Sequence, residues 1–248
     1  MSEERSVVGR VVAIWRYPVK SMAADALEAV DVSWHGVAGD RRWAFVRPGL
    51  ERSGFPWLTI RERSDLWRFE PSFADPARPE VSTTHVRTPS GETFDVTDPA
   101  LAGLLAPGAR VIRQNRGVFD AAPLSLMTAR TVAALGSSAG RPSLEPLRFR
   151  PNLLIDATDG EPFAEDTWIG ATVRVGGLAM RIDRRDERCV VVNVDPRTAA
   201  RDPAVLKTIA RERQACLGIY GTTVEPGHVA LGDVVSVEHS NRRGPQPA

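Results

Sequence analysis

Four short stretches of the chain combine residue types able to hold an anion or a metal. Tyr17-Pro18-Val19-Lys20-Ser21 directly follows a strand-like segment, and Gly36-Val37-Ala38-Gly39-Asp40-Arg41-Arg42-Trp43 is a glycine-relaxed turn entering another. Arg148-Phe149-Arg150-Pro151-Asn152 sets cations ahead of an apolar strand, and Arg188-Cys189-Val190 runs on to Val194-Asp195-Pro196. Lys20, Arg41, Arg150 and Arg188 thus all lie beside strand ends or turns, where function concentrates. A site collecting them suits a phosphorylated or otherwise anionic ligand, because arginine offers a planar bidentate fork and lysine a compact point charge. A cation such as Arg188 also favours the thiolate of a neighbouring cysteine, the form that ligates metals or attacks electrophiles.

Each stretch has a structural reading as well. Lys20 reads as a solvated strand end, and Asp40-Arg41 as a turn with a local ion pair worth at most ~1 kcal/mol. Arg148 and Arg150, on one face of an extended segment, read as rim arginines lying along apolar surface. Cys189, heading a valine-rich strand over Cys189 to Val194, reads as a small buried hydrophobe, and Cys216 as an apolar thiol packed in the core. Spacing alone leaves open whether the four stretches converge.

The elements that must position them are mostly strands. Val30, Val32 and Trp34 alternate with Asp31 and Ser33, and Val8, Val12, Ile14, Trp43 and Phe45 continue the period of two. His85 to Thr88 and Thr93 to Val96 flank Pro89-Ser90-Gly91 as a hairpin. Later strands are expected at Asn152 to Ile155, Val173 to Val175, Met180 to Ile182 and Val234 to Val237. Two helices stand out: Ala129 to Leu135, capped by Thr128 and stopped at Gly136, and one opened by Asp202-Pro203 that carries Leu206, Ile209, Ala210 and Arg213. Phe69 to Glu80 reads as a surface loop, and Asn241 to Ala248 as a tail. The fold class is mostly β: a β-barrel-like domain over residues 1–115, then a second β-barrel with a few short helices over residues 116–240, divided after the Gly/Pro-broken stretch Leu101 to Gly108.

The 248 residues are 42% hydrophobic and 25% charged, and 32 Lys+Arg against 31 Asp+Glu leave a net charge of +1. That balance gives no bulk attraction to nucleic acid or a membrane surface. No apolar run approaches the roughly 18 residues of a membrane span, and Met1 to Arg10 lacks the apolar core of a signal peptide, so a cytoplasmic location is expected. Cys189 and Cys216 are the only two cysteines, too few for a four-cysteine metal or iron–sulfur site.

In this order the stretches resemble the MOSC family, the domain named after the C-terminal part of molybdenum cofactor sulfurase. The first half is similar to its companion N-terminal barrel in Tyr17 to Ser21, Gly39 to Trp43 and Thr59-Ile60-Arg61. The second half is similar in Phe149 to Asn152, Phe163-Ala164-Glu165-Asp166 with Trp168, Arg188-Cys189, Val194-Asp195-Pro196, Tyr220, Pro226-Gly227 and Gly232-Asp233. The resemblance covers about residues 7 to 238. It implies a molybdenum cofactor between the two halves, as in the amidoxime-reducing members, with Cys189 as the one protein ligand to the metal. Cofactor contacts are implied for Tyr17, Lys20, Ser21, Arg41, Asp120, Arg150, Asn152, Arg188 and Tyr220, and a catalytic role for Cys189 and Asp195. Two departures stand out: Ala122 where relatives often carry serine, and Glu187 two residues before the cysteine, for which Arg185 or Arg188 is the expected counter-charge.

The implied activity is reduction of N-hydroxylated or N-oxide-type small molecules, the cofactor doing the hard chemistry. Electrons are expected from an external flavin or iron–sulfur protein. The alternative is a non-catalytic carrier of molybdenum cofactor or sulfur. A pyridoxal phosphate reading would make Lys20 the Schiff base; it is not expected, because this sequence carries no match to the desulfurase portion that uses that cofactor.

Overall fold

The computed structural model describes residues 5–158 and 161–239. The first half supplies β1 (Arg5–Arg16), β2 (Asp25–Leu27), β3 (Ala29–Ser33), β4 (Gly36–Val37) and β5 (Trp43–Val46). It continues through β6 (Glu70–Phe73), β7 (Thr84–Arg87), β8 (Thr93–Asp95), helix α1 (Pro99–Leu105) and β9 (Arg110–Arg113). Then come β10 (Leu124–Thr128), helix α2 (Ala129–Ser138), β11 (Leu153–Ala157), β12 (Thr172–Val175) and β13 (Leu178–Glu187). Helix α3 (Pro203–Arg213), β14 (Cys216–Glu225), β15 (Gly227–Ala230) and β16 (Val234–Glu238) complete the described chain.

Seven strands close a barrel in the order β11-β10-β14-β13-β12-β16-β1 and back to β11, with β2 added along the end of β1. Only the β10–β11 contact in it is parallel. Closure removes the exposed strand edges on which sheets aggregate. Inside lie Val11, Ile14, Leu126, Ile155, Val173, Met180, Ile219 and Val235. At Gly9 a Cβ would sit 2.2 Å from the carbonyl oxygen of Asp156, so the β1–β11 seam closes only over a residue with no side chain.

The first and second halves interlock. β1 lies in the barrel between β11 and β16, and β15 pairs with β3. The remaining first-half strands form β5-β9 and β6-β7-β8 around Phe45, Ile60, Leu66, Trp67, Phe69 and Val86, and Val194 from the second half packs into that same core.

Several local expectations are corrected. Cys189 to Val194 is not a strand: Val190–Asn193 is a 3-10 turn. The turn sends Val192 into the core beneath α3 and Val194 into the first-half core, so packing on two sides overrides the β-propensity of the valines. Glu70–Phe73 is a strand rather than loop, with Pro71 tolerated because β6 is an edge strand. Pro99–Leu105 is a helix capped by Asp98, opened by the same Asp-Pro signal as α3. Helix α2 runs through Gly136 to Ser138; that glycine serves close packing, since a Cβ there would meet the carbonyl of Arg141 at 2.5 Å. Pro146–Phe149 is a 3-10 turn, so Arg148 and Arg150 do not share an extended face. The proposed tail at Asn241 to Ala248 lies outside the described residues. Among the described residues no helix is long and apolar enough to cross a membrane.

Candidate functional site

Where the barrel meets the first-half core, a cavity of about 340 Å³ opens. Seven cationic side chains line it against three carboxylates, so it favours an anionic guest. Three of its residues, Ser21, Arg41 and Arg150, have φ values of 68°, 48° and 51°. Left-handed backbone costs roughly 1–2 kcal/mol per non-glycine residue, and such strain clusters at functional sites.

What holds this strained backbone is a buried polar knot. The carboxylate of Asp40, fully buried, accepts from the Tyr17 amide at 2.7 Å, from Asn152 Nδ2 at 3.2 Å and from Arg41 Nη1. Arg41 donates onward to the carbonyl of Arg150 at 3.2 Å. The Tyr17 ring lies 4.7 Å from the Arg41 guanidinium and 4.1 Å from that of Arg150, and Trp67 lies 4.5 Å from Arg150. Aromatic faces stabilise these cations without neutralising them. The Tyr17 hydroxyl, pushed well above its ordinary range by burial, donates to the carbonyl of Pro151 at 3.0 Å.

The cations differ in how far the protein satisfies them. Arg188 donates to the carbonyls of Leu217 at 2.8 Å and Phe149 at 2.7 Å, and its buried Nη2, without a formed hydrogen bond, lies in ion-pair contact with Asp186 at 2.7 Å. Lys20 pairs with Asp120 and donates to the carbonyl of Val118 at 3.0 Å; burial lowers its pKa against the pull of Asp120. Arg150 gives Nη1 to the carbonyl of Met22 at 2.8 Å, but its buried Nη2 has no partner among the described residues. Burial pushes the Arg150 pKa down to about 10. A buried donor without an acceptor is costly unless a ligand supplies one.

Cys189, half-buried, lines the same cavity. The cation hydrogen-bonded to its sulfur is Arg61, whose Nη2 lies 3.4 Å from Sγ and 3.0 Å from Asp120 Oδ2. Burial works against the charge of Arg61, and the Cys189 sulfur and the Asp120 carboxylate outweigh it. Among the described residues no three His, Cys, Asp or Glu side chains are grouped to hold a metal. The donor set here is one soft sulfur among cations, suited to a metal that arrives with its own ligands.

Eight of the residues singled out from the sequence meet at the cavity: Lys20, Ser21, Arg41, Asp120, Arg150, Arg188, Cys189 and Tyr220. Three do not line it. Tyr17 and Asn152 lie beneath, bracing Arg41, Arg150 and Asp40. Asp195 caps the turn at Arg197 and Thr198 and pairs with Arg148 at 2.7 Å, a structural task. Glu187 is exposed and gains neither expected partner, since Arg188 pairs with Asp186 and Arg185 with Asp166. Cys216 is half-buried at the start of β14 rather than packed in the core.

Sequence reasoning missed Arg61 and Asp186 as site residues. Arg61 stood in the Thr-x-Arg motif without a role. Asp186 lay hidden in the charged run Asp183 to Arg188; register shifts on both sides of it, with Arg184 exposed, break the inward phase of Leu178, Met180 and Ile182, so strand periodicity alone does not find it. A buried carboxylate is the informative exception.

Comparison with known proteins agrees with this architecture. Residues 113–236 match the MOSC domain family model, and residues 8–102 match that of the MOSC N-terminal beta barrel domain. The molybdenum cofactor sulfurase of Drosophila erecta is 32% identical over 90% of this chain and 34% of its own length. That of Drosophila grimshawi is 28% identical over 94% of this chain and 33% of its own. The chain thus spans about a third of the length of these curated relatives. The solved YuaD protein from Bacillus subtilis shares the fold, with a TM-score of 0.54 at 13% identity over 95% of this chain and 98% of that one. With the two models matched in order along one mostly β chain, this protein belongs to the MOSC family, related to the molybdenum cofactor sulfurases.

Proposed function

We propose that the cavity binds a molybdenum cofactor with the Cys189 thiolate as metal ligand, and that the protein reduces N-hydroxylated or N-oxide-type small molecules. The observation that carries this reading is the meeting of a cysteine and an incompletely satisfied cation: Cys189 and Arg150, whose buried Nη2 has no partner among the described residues, line one cation-rich cavity. The residues fit the group. A phosphate-bearing pterin supplies the acceptors that the guanidinium lacks, and its dithiolene leaves the metal needing little from the protein. When bound, the cofactor supplies two-electron reduction with removal of oxygen from the substrate.

The protein's own part is positioning. Arg150, Arg41 and Lys20 hold the anionic end; Arg61 fixes the Cys189 side chain and balances its charge. Asp40 and Tyr17 keep Arg41 and Arg150 in place through the contacts described above. The bent backbone at Ser21, Arg41 and Arg150 is set before any ligand arrives, so little ordering remains to oppose binding. Electrons come from an external flavin or iron–sulfur protein in the cytoplasm.

Protein from a cofactor-competent host should carry up to one molybdenum per chain with matching pterin fluorescence, and should reduce an N-hydroxylated test compound with dithionite but not with NADH alone. Absence of molybdenum and pterin even after reconstitution sinks the reading. The kinship with proteins named molybdenum cofactor sulfurase favours a second reading, a carrier of the cofactor or its sulfur. Full cofactor occupancy without turnover selects it.

A further inference from the structure

Of the three carboxylates lining the cavity, two have plain explanations. Asp120 is paired with Lys20 and Arg61, and Glu187 is exposed. Asp186 is different. It is 1% exposed; its Oδ2 meets Arg188 Nη2 at 2.7 Å and accepts from Ser125 Oγ at 3.3 Å, the Tyr220 hydroxyl also faces the carboxylate as a donor, and its buried Oδ1 is left without a well-aligned hydrogen bond among the described residues. A buried carboxylate oxygen in that condition is relieved by gaining a proton or a donor.

The charged and titratable groups facing it come from every element around it: Arg188 just past β13, Tyr220 on β14 and Arg41 from the turn before β5, with the Ser125 hydroxyl on β10. Burial outweighs the attraction of Arg188 and pushes the Asp186 pKa up to about 6. The Tyr220 hydroxyl is also driven up by burial and keeps its proton. Its burial and its Oδ1 without a partner thus mark Asp186, among the lining carboxylates, as the one that is relieved by taking a proton.

We propose that Asp186 is the proton carrier of this cavity: an anion entering the cationic cradle draws a proton onto Oδ1, so ligand and proton bind together. The physical reason is like-charge repulsion at low local dielectric. An anion nearby penalises the carboxylate form, and protonation in turn removes one negative charge that opposes the anion. The two effects are one coupling seen from either side. The proposal rests on the cavity binding an anion, as in the reading above, whether or not that anion carries molybdenum.

The test uses the full chain without cofactor and sulfate as probe, since sulfate does not titrate over the range studied. Calorimetry in buffers of differing ionisation enthalpy counts protons taken up from pH 5 to 8. Wild type should take up protons as sulfate binds, and should bind about tenfold more tightly at the acid end for each pKa unit by which sulfate raises Asp186. Asp186→Asn should bind sulfate without that uptake and with a flat pH dependence. Arg150→Met, which removes a cradle cation, should lose the binding itself. If Asp186→Asn fails to fold, Ser125→Ala serves: losing a hydrogen bond to the carboxylate should move the uptake to higher pH. Equal uptake in Asp186→Asn, an unmoved profile in Ser125→Ala, or a wild type that binds no sulfate or takes up no proton overturns the proposal. Molybdenum content separates this from the cofactor reading: proton-coupled sulfate binding in a protein that never retains molybdenum keeps Asp186 and discards the cofactor.

Discussion

Replacing Arg150 by methionine should leave the empty protein about as stable as wild type while removing most of its affinity for an anionic cofactor. The residue is half-buried and cationic, and burial of its guanidinium drops its pKa well below the ordinary arginine range, to about 10, which sets roughly 3 kcal/mol against the charged form in the fold. Because the folded value lies below the unfolded one, that penalty is constant below about pH 10 and disappears only as pH rises from there toward the ordinary arginine range. Methionine relieves it and keeps much of the packing between Tyr17 and Trp67. Against this stand the lost hydrogen bond to the Met22 carbonyl, about 1.5–3 kcal/mol for a charged donor, and two cation–π contacts of about 1 kcal/mol each. The opposing sums nearly cancel, and the net change should lie within about 2 kcal/mol. The ligand loses a charged donor with no such compensation, so retention should fall at least tenfold. Urea denaturation of the empty protein, beside pterin and molybdenum content of protein from a cofactor-competent host, reads both quantities. A loss of stability of 3–5 kcal/mol with undiminished occupancy would refute the reasoning, because that is the signature of breaking a buried structural pair.

The two cysteines should separate cleanly. Cys189→Ser should fold and lose turnover, with pterin partly retained by Arg150, Arg41 and Lys20; Cys216→Ser, at a half-buried strand start, should cost under about 1 kcal/mol and keep activity. Melting curves and dithionite-driven turnover compare them, and an active Cys189→Ser variant rules out that sulfur as ligand. Gly9→Ala should destabilise the barrel by roughly 1–3 kcal/mol or more, since its Cβ would meet the Asp156 carbonyl oxygen at 2.2 Å; an unchanged melting temperature contradicts the close seam. Glu165 is fully buried and accepts from the Thr128 amide and both threonine hydroxyls of Thr128 and Thr131, and burial raises its pKa. Its contribution should therefore be complete below the ordinary glutamate range and decline as pH rises through the raised value. Glu165→Gln should flatten that part of the stability–pH curve, and an unaltered slope would show that other groups set it.

The sequence alone was enough for the class of fold and for the list of chemical parts. Alternation over β3 and the Asp-Pro opening of α3 are local signals that tertiary packing reinforced, whereas register shifts in β1 leave Val12 exposed and β5 is buried without alternation. Lys20, Arg41, Arg150, Arg188 and Cys189 declared themselves by lying at turns and strand ends in a familiar order, and all five line one cavity. The same local reasoning failed where a segment packs against two cores at once. The valine run after Cys189 has every mark of a strand, yet it folds as a 3-10 turn because Val192 and Val194 are buried on opposite sides.

What the tertiary structure decided was which groups share a space and which merely support them. Tyr17, Asn152 and Asp195 look as functional in the sequence as Arg41 does, but their polar atoms are consumed by Pro151, Asp40 and the turn at Thr198. Arg61 is 128 residues from Cys189 along the chain and 3.4 Å from its sulfur, a relation fixed by how the first half docks on the barrel. Asp186 stands in the charged run Asp183 to Arg188, and only packing against distant segments buries it beside the cavity. Local periodicity follows from backbone geometry over a few residues, so the sequence carries it. Convergence, burial and unpartnered donors depend on contacts between distant segments, whose energies the local sequence does not contain.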